Sequence, residues 1–93
     1  MDAKSLLKNG APLIDVRSED EFRSGHVEGS VNIPLQTIPG EIEKIKTMGE
    51  PLVLCCLSGG RSGQAVEFLK QNGFKDVYNA GGWMQANAMK HGE

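Results

Sequence analysis

What this chain has little of narrows its reading before any motif is considered. It holds only two cysteines and two histidines in 93 residues. Two cysteines do not make a disulfide framework. They are also neighbours, Cys55 and Cys56. Adjacent Cα atoms lie about 3.8 Å apart across a trans peptide, whereas a disulfide wants roughly 4.4–6.8 Å, so a bridge between them would be strained and reducible. No CxxC pair exists, and His26 and His91 are far away in sequence, so no metal site is expected. The longest apolar run, Leu52 to Leu57, is far too short to cross a bilayer. Neither sign of charge dominates, and a net charge of −2 argues against a nucleic-acid or anionic-membrane surface. Repeats, low-complexity tracts and long linkers are missing too. Met1-Asp2-Ala3-Lys4 leads into an amphipathic stretch rather than the apolar core of a signal peptide, so a cytoplasmic location is expected; separately, the chain is expected to be a monomer.

What is present fits one small domain over residues 1–93. A chain of this length buries about 60–65% of its unfolded surface, enough to fold without staples. Short β-branched runs alternate with helical patterns, the signature of an α/β fold with mostly parallel strands. Ala3 to Lys8 reads as a helix closed by Asn9-Gly10, and Pro12 to Val16 as a strand. Ser18 and Glu21 form a capping box, which predicts a brief helix over 19–24. Val31 to Ile33 is a second strand, halted by Pro34. Pro39 suits the first turn of a helix whose Ile38, Ile42 and Ile45 share one face. Leu52 to Cys55 is apolar throughout, as expected of a strand covered on both faces. Arg61 to Asn72 has helical period, Asp76 to Asn79 is the last strand, and Gly81-Gly82 precede a terminal helix.

The chemistry concentrates in Leu54-Cys55-Cys56-Leu57-Ser58-Gly59-Gly60-Arg61-Ser62. In an open parallel sheet, ligands bind outside the carboxyl ends of the strands. Side chains alternate along a strand, so the two thiols receive different jobs. Cys55 reads as a small buried hydrophobe, and Cys56 leads into the loop. Ser58 to Ser62 can curl so that backbone N–H groups converge on one point, with glycines at 59, 60 and 63 permitting positive φ. The helix that follows aims its partial positive charge at the same point, and Arg61 adds a full one. Together these predict a Cys56 pKa lowered from about 8.5 toward or below neutrality.

These residues carry a family resemblance. Cys56 to Ala65 resembles the active-site loop of a single-domain rhodanese, a sulfurtransferase. Leu13 to Arg17, Glu21-Phe22, Gly25-His26-Val27, Gly29-Ser30 and Asn32-Ile33-Pro34 are similar in order and spacing to that family's other marker segment. Ala80-Gly81-Gly82 resembles its late glycine pair. The resemblance implies about five mostly parallel strands with helices on both faces. It makes Cys56 the nucleophile, which accepts a sulfane sulfur from a small anionic donor such as thiosulfate. The persulfide is then passed to cyanide, a thiol or a sulfur-accepting protein. The amides of Leu57, Ser58, Gly59, Gly60 and Arg61 would cradle that persulfide, with Ser62 opening the helix. Such transfer calls for no metal, cofactor or general base. Asp15 and Arg17, at the end of their strand, are expected either to orient the loop and line its mouth or to form a structural salt bridge. His26 reads as a hydrogen-bonding turn residue.

Three departures stand out. Leu57 is apolar where many active members carry a cation, which should weaken thiosulfate capture or favour an apolar or protein-borne persulfide donor. The family's late tryptophan position is Ala86 here, while Trp83 follows Gly82 directly, leaving the docking of the last helix open. Little chain precedes the first helix, so the short edge strand of larger members is expected to be absent or reduced. Two other functions share the cysteine. One is a non-catalytic sulfur-carrier module. The other is a phosphatase or arsenate reductase, which spaces cysteine and arginine by five residues where only Leu57 to Gly60 intervene here.

Overall fold

The longest apolar run of the chain becomes a strand that is buried over its whole length. In the computed structural model, which describes residues 2–92, this strand is β3 (Leu52–Cys56). It lies between β1 (Leu13–Asp15) and β4 (Val77–Gly82), and β2 (Val31–Asn32) pairs on the far side of β1. The order is β2-β1-β3-β4 and every pairing is parallel. The five strands implied by the resemblance are therefore four among the described residues. Residues 3–8, ahead of β1, form helix α1 (Ala3–Lys8) and spend Leu6 and Leu7 on the core instead of extending the sheet edge.

Alternation along β3 divides the interior into two. Leu52, Leu54 and Cys56 face one core with Ile14, Ile38, Ile45, Ala65 and Leu69. Val53 and Cys55 face the other, with Leu6, Leu7, Leu13 and Ala86. The first core is covered by a 3-10 helix (Leu35–Glu41), α3 (Ile42–Met48) and α4 (Gly60–Gln71), and the second by α1 and α5 (Trp83–His91). Each fully buried leucine or isoleucine contributes on the order of 1.5–3 kcal/mol.

Local signals act where they were expected. The Asp2 carboxylate accepts the Ser5 N–H at 2.9 Å and starts α1. The capping box of Ser18 and Glu21 starts α2 (Glu19–Arg23). One helix differs: the turn around Pro39 begins four residues earlier, as the 3-10 segment from Leu35. Thr37 closes back onto the Pro34 carbonyl through both its N–H and its hydroxyl, each at 2.8 Å, which tightens the chain before α3 begins.

One irregularity bears directly on function. Along β3 and β4, Leu54 pairs with Asn79 but Cys56 pairs with Gly82, so β4 carries an extra residue. Gly81, in the left-handed region at φ 87°, lies within this bulge, a conformation that glycine adopts without strain. Gly82 is required for a different reason, since a Cβ there would meet the Leu57 carbonyl oxygen at 2.5 Å. The late glycine pair thus lets β4 close against the chain just beyond Cys56.

Candidate active site

Cys56 is the last residue of β3, at the carboxyl edge of the sheet, and its side chain is 1% exposed. It belongs to the strand itself rather than to the loop that follows. The chain then turns through Leu57, Ser58 and Gly59 and enters α4 at Gly60. Gly59 caps that helix in the left-handed conformation, φ 103°, which only glycine adopts without strain. Of the three glycines read as special, Gly59 alone has positive φ; Gly60 has no close neighbour and Gly63 packs on the Asn79 amide. The turn aims the N–H of Gly59 at the Cys56 sulfur, 2.9 Å away. The Ser62 hydroxyl lies 3.4 Å from the same sulfur.

These contacts decide the state of the thiol. Burial pushes the Cys56 pKa up, but the Ser62 hydroxyl and the backbone N–H groups of Ser62, Ser58 and Gly59 outweigh it and hold the thiol at about 7. The depression comes from dipoles fixed by the turn and the helix start. Cys55 points to the opposite core, and burial, reinforced by the Asp15 charge, raises it to about 12. Both cysteines are free, and one strand has given them opposite reactivity.

Arg61 is placed differently from its sequence reading. Its Nη1 and Nη2 bind the two carboxylate oxygens of Glu21 at 2.8 and 3.0 Å. The Arg61 hydrogen bond and the Ser18 cap hold Glu21 at about pKa 2. The only cationic side chain in the segment 56–62 is therefore neutralised by a residue on α2.

Asp15 and Arg17 form a buried scaffold rather than the lip of the site. Asp15 is 0% and Arg17 2% exposed, with Arg17 Nη2 at 2.7 Å from Asp15 Oδ2 and Nε at 2.9 Å from Oδ1. Nη2 also donates to the Gly25 carbonyl at 2.7 Å. The guanidinium lies 4.9 Å from the centre of the Trp83 ring, which packs on Gly25 in turn. Trp83, displaced in sequence from the family's position, thus docks the start of α5 onto this pair while Ala86 fills the core behind it. His26 stacks on Phe22 and engages its carbonyl through Nδ1 at 2.8 Å, the turn role expected of it.

Two participants escaped the sequence reading. Glu21 was read as a helix cap and as part of a marker segment, but not as the partner of Arg61, which lies forty residues away. Asn79, read merely as a strand end, braces the whole turn. Its Nδ2 donates to the Gly59 carbonyl at 2.9 Å, and its Oδ1 accepts from the Ser62 hydroxyl at 2.7 Å and the Gly81 N–H at 2.9 Å. The bulge in β4 was the missing signal: an asparagine two residues before Gly81 is placed to cap it. No cluster of side chains able to hold a metal ion occurs among the described residues, nor is any helix long and apolar enough to cross a membrane.

The model of the rhodanese-like domain family matches residues 2–88. The chain belongs to that family. Among its relatives, the uncharacterized protein YqhL of Bacillus subtilis is 42% identical over 72 residues, which is 77% of this chain but 56% of YqhL. The chain therefore spans little more than half of that relative. The thiosulfate sulfurtransferase GlpE of Pseudomonas savastanoi is 38% identical over 80 residues, covering 86% of this chain and 74% of GlpE. A rhodanese structure with anions from E. coli superposes with a TM-score of 0.69 at 36% identity, covering 80% of this chain and 88% of that one.

Proposed function

We infer that this rhodanese-like domain is a sulfurtransferase working through a persulfide on Cys56. The observation that carries this reading is the buried sulfur at the end of β3, 2.9 Å from the Gly59 amide, with its pKa drawn down to about 7. The Cys56 thiolate attacks the sulfane sulfur of a donor; a new S–S bond forms while sulfite or sulfinate leaves with the electron pair of the broken bond. Cys56–S⁻ becomes Cys56–S–S⁻, the negative charge moves outward by one atom, and no proton is transferred. That explains why amide dipoles suffice and a base is unnecessary. Cyanide or a thiolate then takes the outer sulfur and returns Cys56 to its thiolate. Cys56, only 1% exposed, leaves room for the slender terminal sulfur of a donor to reach it.

An oxyanion-hydrolysing role is less well served, because Arg61 binds Glu21 instead of closing the cradle. A sulfur-carrier role uses the same persulfide and differs in lacking turnover. Incubation with a sulfane-sulfur donor and cyanide separates these readings. Catalytic thiocyanate formation that is lost in Cys56→Ser is the expected result. A single sulfur released per chain would favour the carrier, and aryl phosphate hydrolysis lost in Cys56→Ser would favour the phosphatase.

A further inference from the structure

Two features of the site, independent of each other, concern the donor's charge and shape. The first is the Glu21–Arg61 pair, whose bidentate geometry cancels the only positive formal charge within segment 56–62. A dianion approaching Cys56 meets no free cation from that segment. The second is apolar exposure. Among the described residues only two large hydrophobics are exposed, Leu57 at 60% and Met84 at 68%. Both belong to the segments that meet at the end of β3. Leu57 directly follows the reactive cysteine, its carbonyl lies against Gly82, and Met84 is two residues beyond that contact.

Resting on the sulfurtransferase reading above, we propose that this site takes monoanionic sulfane-sulfur donors with an apolar carrier group, such as an arenethiosulfonate or an apolar persulfide, in preference to thiosulfate. The reaction balances without a further reagent. Cys56–S⁻ and ArSO₂–S⁻ give Cys56–S–S⁻ and ArSO₂⁻, with one S–S bond formed and one broken. The donor carries one negative charge where thiosulfate carries two, so it depends less on a free cation at the mouth. Its aryl group meets Leu57 and Met84, which offer apolar surface and no charge.

The test uses three donors with cyanide as acceptor: thiosulfate, methanethiosulfonate and benzenethiosulfonate. Methanethiosulfonate isolates charge, and the benzene compound adds the apolar group. The wild-type kcat/KM should rise in that order, with the phenyl group contributing about tenfold. Leu57→Ala should shrink the benzene-to-methane ratio. Glu21→Gln keeps a residue suited to the capping box. It should raise thiosulfate use relative to methanethiosulfonate by about threefold, because it releases Arg61 from a partly exposed ion pair. A wild type that uses thiosulfate as well as benzenethiosulfonate would overturn the proposal, as would ratios that neither variant moves. Failure of all three donors to sulfurate Cys56 would instead remove the sulfurtransferase reading itself.

Discussion

Replacing Ser62 by alanine separates the two things this hydroxyl does. Its single proton has two acceptors within reach, Asn79 Oδ1 at 2.7 Å and the Cys56 sulfur at 3.4 Å. While Cys56 is a thiol, the closer oxygen holds the proton; once the sulfur is charged, the hydroxyl gains by turning toward it. A hydrogen bond to a charged group contributes about 1.5–3 kcal/mol, and the long, contested contact here belongs at the lower end. One pKa unit is about 1.4 kcal/mol, so Ser62→Ala should raise the thiol by about one unit. The Gly59 amide remains to hold the rest of the depression. With the wild-type thiol at about 7, the thiolate fraction at neutral pH should fall roughly fivefold, and sulfur loading with it. Asn79 Oδ1 keeps the Gly81 N–H at 2.9 Å, so the stability loss should stay near ~1 kcal/mol. Thiolate absorbance titrated from pH 5 to 10, beside loading rates over the same range, reads the effect directly. The variant's rate should recover at high pH. A wild-type midpoint in the variant, or a rate that stays low when the thiol is fully ionised, would refute this role for Ser62.

Other outcomes follow from the same geometry. The Cys56 pKa is lower folded than unfolded, so the unfolded chain binds more protons between pH 7 and about 8.5, and this group's contribution to stability should rise with pH across that window and be absent below it; denaturant titrations at stepped pH that show no such rise would contradict the lowered value. Arg17→Met leaves the Asp15 charge buried and should cost about 3–5 kcal/mol, whereas Asp15→Asn with Arg17→Met should cost less than the sum of the singles; additive urea-unfolding energies would dismiss the pair as a unit. Cys55→Ala should lower stability by about 1–2 kcal/mol through a small cavity yet keep sulfur loading, measured by intact mass. Asn79→Asp puts a second anion against the Ser62 hydroxyl and withdraws the donor to Gly59, so the Cys56 titration midpoint should move up; an unmoved midpoint would make Asn79 purely structural.

The sequence carried the signals that act within a few residues. The capping box at Ser18 and Glu21, the apolar run of β3 and the order of helices and strands could be read because each depends on local period or local hydrogen bonding. The different fates of Cys55 and Cys56 were legible for the same reason, since strand alternation alone sends neighbours to opposite faces. What could not be read depends on distant partners. Arg61 looked like a free cation near the sulfur, and its neutralisation requires Glu21 to arrive from α2. Asp15 and Arg17 stood equally for a site lip or an ion pair until burial under Trp83 decided it. Asn79 acquires its bonds only because β4 bulges before Gly81, and a bulge leaves no period in the sequence. The 3-10 turn from Leu35 was hidden likewise, because apolar spacing does not distinguish it from the start of an α-helix.

The most direct test of sulfur chemistry at Cys56 is the intact mass of the protein after incubation with a sulfane-sulfur donor and removal of the excess. Wild type and Cys55→Ala should each gain one sulfur atom, mapped to Cys56 by fragmentation and lost on adding cyanide, while Cys56→Ser gains none. Sulfur that persists in Cys56→Ser, or a wild type that acquires none from thiosulfate, thiosulfonate or persulfide donors, would contradict it.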